Sequence, residues 1–245
     1  MPYHLRCIIP SDRYCHFDGL RLAVSAVEAE AEAAEEERRL VETKVNFVDR
    51  TGQSRLLSLL EISNELHFAY ATHLAFMEER DLAIMPVTWG LPQWADETME
   101  AISPTSLELG IVDQLENGKL HESIFIKFVS DEIGFGVFTS QTLAAGAFLG
   151  EYVGIVLATQ NPGPYSLNFP CLDGGHEINA ADTGNLMRLV NHAPNPNSSF
   201  QHVYHESVIH TVVRTIKSVD AGEQISVDYS PSYWVGRGVS PKELS

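Results

Sequence analysis

The chain has 245 residues, 44% of them hydrophobic, enough to bury one substantial core with or without a smaller satellite, so global disorder is excluded. Its 33 acidic and 16 basic residues leave a formal charge of −17, which opposes direct nucleic-acid binding through phosphate neutralisation and favours a basic partner. The bias is shared along the chain, with 10 basic and 21 acidic residues up to position 120 and 6 and 12 beyond it. Cys7, Cys15 and Cys171 form no CxxC or CxxxC pair, so a reducing compartment is expected and a disulfide scaffold is not. No apolar run approaches the roughly 18 residues of a membrane span, and the first residues lack a basic region followed by a long apolar stretch. A soluble, intracellular protein with no membrane contact is expected.

Along the chain, Leu20–Phe47 is rich in Ala, Glu, Leu and Arg with no Gly or Pro, which predicts one long helix. Its Glu/Ala middle, Glu28–Glu37, reads as a solvated surface in preference to an acidic docking site. Ser54–Arg80 returns Leu56, Leu59, Leu60, Ile62, Leu66, Phe68, Tyr70 and Leu74 to one helical face, predicting a second helix packed on the first. His67 and His73 fall inside that apolar pattern and read as packing residues. Met85–Gly118, punctuated by Pro and Gly, reads as a joint with a short helix near Trp94–Ile102. After it the period changes: SIFIKFV, GVFTS, AFLGEYVGIVLA, HVYHESVIHTVVRTI and EQISVDY are short β-rich runs divided by Gly, Asp, Asn and Pro. The expectation is an α+β chain with a helical region over 1–120, a mostly β domain over 121–235, and a tail over 236–245.

The informative residues lie in that β-rich half. Gly134-Phe135-Gly136 alone would be a common turn device. It is followed in order by Gly150-Glu151-Tyr152-Val153-Gly154, by INAADTGNLMRLVNHAPNPN (Ile178–Asn197), and by GEQISVDY (Gly222–Tyr229) with Tyr233-Trp234 beyond. This succession resembles the SET domain of protein lysine methyltransferases, whose pattern runs GxG, Y-x-G, IDA…GN…R-F-x-NH-S…PN and GE-E-L…DY. Asn179, Leu189 and Ala193 stand where the family usually has Asp, Phe and Ser, while Asn191, His192 and Tyr229 match. Pro194 replaces a cysteine that many histone-directed members carry, and the tail SPSYWVGRGVSPKELS has no cysteine. The pre-SET and post-SET zinc modules are therefore absent, no metal is expected, and the N-terminal region is expected to brace the core instead.

The resemblance implies S-adenosylmethionine as cofactor, with Gly134, Phe135, Gly136, Asn191, His192, Tyr229 and Trp234 against it. Tyr229 and Tyr152 are the implied catalytic tyrosines, and Tyr152, Tyr165 and Phe200 the implied substrate-binding residues. It also implies a pseudoknot in which the Asn191-His192 segment threads beneath the Tyr229 segment. Without the series, Tyr229 would read as a β-core tyrosine. Arg188 either anchors the threaded segment or neutralises a carboxylate; Tyr165 lines a peptide groove or is a loop aromatic. His202, His205 and His210 show no ligand spacing, since positions 202 and 205 face opposite sides of a strand.

Methyl transfer to lysine needs a neutral, aligned amine. A free lysine of pKa about 10.4 costs roughly 4.6 kcal/mol to deprotonate at pH 7, and a desolvated aromatic channel beside a cation lowers that cost. Tyrosines suit such a channel because their faces are apolar and their hydroxyls steer the amine. The implied activity is lysine methylation of a basic protein, a histone or histone-like protein. The alternatives are a non-histone substrate, or an inactive SET-like module that recruits a partner through its N-terminal helices. SET domains without zinc modules also occur in viruses and intracellular bacteria, so the implied compartment is a nucleus, the cell's own or a host's.

Overall fold

The computed structural model describes residues 26–76, 105–158, 163–169, 176–205 and 208–237. The helix expected near Trp94–Ile102 and all three cysteines lie outside them. Helix α1 (Ala26–Glu42) forms where Ala, Glu and Arg predict it, but it stops short of Phe47 because Lys44–Val48 is strand β1. Alternation decides this: Val45 and Phe47 are 7% and 0% exposed while Lys44 and Asn46 face solvent, a period of two that a β-branched and aromatic run fills well. Asp49 Oδ1 then accepts from the Thr51 and Gln53 N–H groups at 2.8 and 3.1 Å, and Gly52 adopts φ +83°, a conformation that glycine reaches without strain. The chain returns antiparallel as β2 (Ser54–Ser58).

The single helix expected over Ser54–Arg80 is likewise corrected. Ser58 ends β2 and caps the short helix α2 (Leu59–Glu65) in a reciprocal capping box with Glu61; β3 (Ala69–Tyr70) and β4 (Ala75–Phe76) follow. Helices α1 and α2 do contact each other, as the apolar pattern implies.

Two short helices, α3 (Ser106–Leu109) and α4 (Val112–Glu116), lead into the strand-rich part. Its strands are β5 (Ile124–Ser130), β6 (Gly134–Thr139), β7 (Phe148–Glu151), β8 (Ile155–Ala158), β9 (Ser166–Asn168), β10 (His176–Asn179) and β11 (Thr183–Gly184). A 3-10 turn at Leu186–Leu189 precedes β12 (Asn191–His192), β13 (Ser198–His205), β14 (Val208–Thr215), β15 (Ser226–Val227) and the final helix α5 (Ser230–Arg237). The fold is α+β and mostly strand, as expected. Its sheets run β2-β1-β5-β6, β4-β8-β10-β9 and β13-β14-β7, with two-stranded pairs β11-β3 and β12-β15.

Residues 44–76 are thus woven into the C-terminal strands and do not stand as a helical region beside them. Strand β1 lies parallel to β5, with Phe47 opposite Ile126; β3 lies parallel to β11, and β4 to β8. One apolar cluster spans both parts, joining Phe47, Ile62 and Leu74 to Ile126, Leu149, Ile178 and Leu186. The Phe47 ring also stacks on Phe135 at 5.0 Å, so burial of the N-terminal strand reaches the Gly134-Phe135-Gly136 turn.

Phe47→Ala is expected to destabilise the protein by about 3–4 kcal/mol, the range for emptying a fully buried aromatic site. Urea unfolding followed by far-UV dichroism and by fluorescence should then shift as a single coincident transition. An early transition that leaves the strand-rich part folded would show that residues 44–76 are a separable unit.

Candidate active site

The Gly134-Phe135-Gly136 start of β6, the Arg188–His192 stretch and Tyr229 arrive at one place through different elements. Strand β12 pairs parallel with β15, Asn191 opposite Ser226 and His192 opposite Val227, which is the pairing that the expected pseudoknot requires. Asn197 fastens the crossing: its Nδ2 donates to Gln224 O at 2.8 Å and its Oδ1 accepts from Ser226 N at 3.0 Å. The Asn191 amide reaches the glycine turn, Nδ2 donating to Phe135 O at 3.1 Å.

Tyr229 is held at both ends. Its backbone N–H donates to His192 Nδ1 at 3.2 Å and its hydroxyl donates to Val190 O at 2.7 Å. Around it Tyr233 and Trp234 lie 4.6 and 5.9 Å away, ring centre to ring centre, and Trp234 meets His192 edge to face at 5.1 Å. His192, 8% exposed, therefore places Tyr229 through its backbone.

Ile133, Gly134, Phe135, Leu189, Asn191 and Tyr229 line one cleft of about 130 Å³, completed by Leu66, Tyr165 and Arg188. A water needs only roughly 10–15 Å³ on a comparable measure, so this is room for a molecule. Gly136, His192, Trp234, Tyr152 and Phe200 do not line it. Gly136 sits behind it, where a Cβ would collide with Gln224 Nε2 and meet Asn191 Nδ2 at 3.0 Å. Gln224 Nε2 and Trp234 Nε1 are buried donors without an acceptor among the described residues, the kind of group whose burial is costly until something accepts from it.

Tyr152 is buried next to the cleft, its ring edge to face with Phe200 at 5.6 Å. Its hydroxyl donates to Tyr165 O at 2.6 Å. Burial above all, and then the neighbouring Tyr229, push its phenol far above the ordinary tyrosine pKa, so it remains neutral. Tyr165 stands at φ +60° with its ring against Arg188 at 3.9 Å. Arg188 donates through Nε to Ala180 O at 2.7 Å and through Nη2 to Ala181 O at 2.8 Å, which settles its role as an anchor of the chain. Burial lowers its pKa, yet a guanidinium stays charged, so a fixed cation borders the cleft. The sequence offered no sign of Leu66 as a cleft residue, since it arrives from a stretch read as a continuous helix; Gln224 stands inside the GEQISVDY motif, where the pattern gave it no role.

The histidines of β13 and β14 are otherwise engaged: His202 with Thr211, His205 with Ser106, and His210 with Glu151. Among the described residues no three His, Cys, Asp or Glu side chains gather as a metal site, and no helix is long and apolar enough to cross a membrane.

Residues 134–230 match the family model of the SET domain. The histone-lysine N-methyltransferase Su(var)3-9 of Drosophila pseudoobscura pseudoobscura is 28% identical over 134 residues, 47% of this chain and 21% of that protein. The histone-lysine N-methyltransferase ash1 of Drosophila melanogaster is 30% identical over 113 residues, 42% of this chain and 5% of that one. The match thus spans 21% of the first of these relatives and 5% of the second. The crystal structure of ATXR5 in complex with a mono-methylated histone H3.1 superposes with a TM-score of 0.52 over 71% of this chain and 86% of that one, at 16% identity, a likeness of fold.

The two glycines give a direct check on the turn. Gly134→Ala is expected to cost about 1–2 kcal/mol, the penalty of a Cβ at positive φ, and Gly136→Ala about 1–3 kcal/mol by overpacking. Denaturant unfolding measures both; wild-type stability of Gly136→Ala would show that Gln224 moves away freely.

Proposed function

We propose that the chain, whose residues 134–230 match the family model of the SET domain, methylates a lysine side chain of a basic, histone-like protein with S-adenosylmethionine as donor, acting in a nucleus. The observation that carries this reading is the convergence of Gly134-Phe135, Asn191 and Tyr229 on one cleft, with Tyr152 fixed beside it. The residues fit the cofactor: a glycine turn at φ +83°, a crowded Gly136, and buried donors on Gln224 and Trp234 that await acceptors. Gly134, Phe135, Asn191 and Gln224 would hold it, with His192 and Trp234 supporting Tyr229. When bound, S-adenosylmethionine supplies an electrophilic methyl group on a sulfonium.

What the chain does is orient the amine. The hydroxyl protons of Tyr229 and Tyr152 are committed to the carbonyls of Val190 and Tyr165, so each oxygen presents lone pairs to its surroundings. A lysine amine donates its N–H groups to such oxygens, and its own lone pair is then steered by default. Tyr152 is not the base, because burial keeps its phenol protonated. The same apolar surroundings disfavour an ammonium group, and the fixed charge of Arg188 adds to that effect. Tyr165 and Phe200 border Tyr152 and would receive the substrate's side chain. The charge of −17 favours encounter with a Lys/Arg-rich chain and opposes nucleic acid.

S-adenosylmethionine and its demethylated product are expected to raise the melting temperature, since a ligand at a hundred times its Kd stabilises by about 2.7 kcal/mol. Scanning calorimetry checks this; no shift at millimolar ligand would overturn the reading. Tyr229→Phe keeps the ring cluster and removes the bond to Val190, so stability should fall by no more than about 1 kcal/mol. Turnover on histone peptides should fall roughly a hundredfold, as expected for a preorganised group acting on the transition state. Unchanged kcat would reduce Tyr229 to a core tyrosine.

A further inference from the structure

An assembly beside the cleft draws one of its members from outside residues 134–230. Phe68 follows α2, and its N–H donates to Ser63 O at 3.0 Å while the next residue, Ala69, donates to Asp182 O at 2.8 Å. These bonds stitch the corner to the loop between β10 and β11 and leave Phe68 7% exposed. The Arg188 guanidinium lies 4.5 Å from the Phe68 ring centre and 3.9 Å from that of Tyr165. Its Nε and Nη2 are spent on the carbonyls of Ala180 and Ala181, so the group is fixed within its plane by hydrogen bonds and covered by rings.

Tyr165 is the strained member. An aromatic residue at φ +60° is an outlier, and such a conformation persists only where its surroundings hold it. The guanidinium holds the ring; the carbonyl accepts from both the Tyr152 hydroxyl at 2.6 Å and Ala180 N at 3.0 Å. That carbonyl is what aims the Tyr152 hydroxyl, whose remaining lone pairs face the amine in the methyl-transfer reading.

We propose that Phe68 and Arg188 are positioning residues of the methyl-transfer site, clamping Tyr165 in the conformation that fixes the Tyr152 hydroxyl, so that the N-terminal segment completes the channel wall. The proposal rests on the methyltransferase reading for its purpose, and on geometry alone for the clamp. Phe68→Leu keeps apolar volume and loses the ring face; Phe68→Tyr keeps the face; Arg188→Lys keeps the charge and loses the plane.

Hydrogen–deuterium exchange on the full chain reads the clamp without any assay of activity. Phe68→Leu and Arg188→Lys should each speed exchange in residues 163–169 at least tenfold while β5 and β6 stay at wild-type rates, and Phe68→Tyr should behave as wild type. On a histone peptide, both damaging variants should raise KM about tenfold, and Phe68→Leu, at a residue outside the lining of the cleft, should change the Kd for S-adenosylhomocysteine less than twofold. Unchanged exchange in 163–169, or faster exchange spread evenly over the chain, overturns the clamp. A wild type that binds no S-adenosylhomocysteine overturns the methyltransferase reading instead, and exchange still decides the clamp. If Arg188→Lys does not fold, Phe68→Leu carries the test alone.

Discussion

The crossing of the Val190–Asn197 segment with Gln224–Tyr229 is the constraint on which the site depends. Two residues of parallel strand on each side are too few to hold themselves together, and the buried backbone groups at the crossing must all find partners. Side chains supply what the short ladder lacks. Asn197 takes both the Gln224 carbonyl and the Ser226 amide, and His192 takes the Tyr229 amide. Tyr229 returns the favour by donating its hydroxyl to Val190. The same bonds that close the crossing therefore set the orientation of the phenol, and no separate device is needed to aim it.

The site is also braced from behind. The N-terminal strands do not sit beside the strand-rich part as a helical buttress; β1, β3 and β4 are members of its sheets. Phe47 touches Phe135 next to the glycine turn, and Leu66 reaches the cleft itself. Support near the cleft comes from apolar burial and from one buried guanidinium, that of Arg188. Burial is non-directional, so the directional part of the task falls to Asn191, Asn197 and Arg188.

How much of this was legible follows from the kind of signal involved. The C-terminal strands were readable from their β-rich runs, and Gly134, Asn191 and Tyr229 from the resemblance that the order of the motifs carries, since each of them alone reads as an ordinary turn or core position. The N-terminal strands were not. KVNFV alternates over five residues only, and the strong Ala/Glu helix before it masks the change of period; Gly52 and the Ser58/Glu61 capping box mark the breaks, but the recurring leucines between them fit a helical face as well as a strand. Which residues of the predicted set line the cleft was also beyond pattern reading. His192 and Gly136 act one layer back, through Tyr229 and Gln224, and only the packing of β12 against β15 shows it.

Charge and geometry act at different ranges here. The excess of acid is spread over the chain, and helix α1 already neutralises part of its own through Arg38, which bridges Glu35 and Glu42. At physiological salt the screening length is about 8 Å, so diffuse surface charge alters the rate of encounter with a basic chain far more than the placement of one lysine. Placement belongs to groups that salt does not reach. Tyr152, Phe200 and Arg188 are mostly buried, and their contacts are hydrogen bonds and ring faces at fixed distances. In the proposed methyl-transfer reading, selectivity among lysines arises from the shape and hydrogen bonds of the cleft, and selectivity among proteins from the field around it. The first should be insensitive to ionic strength where the second is not.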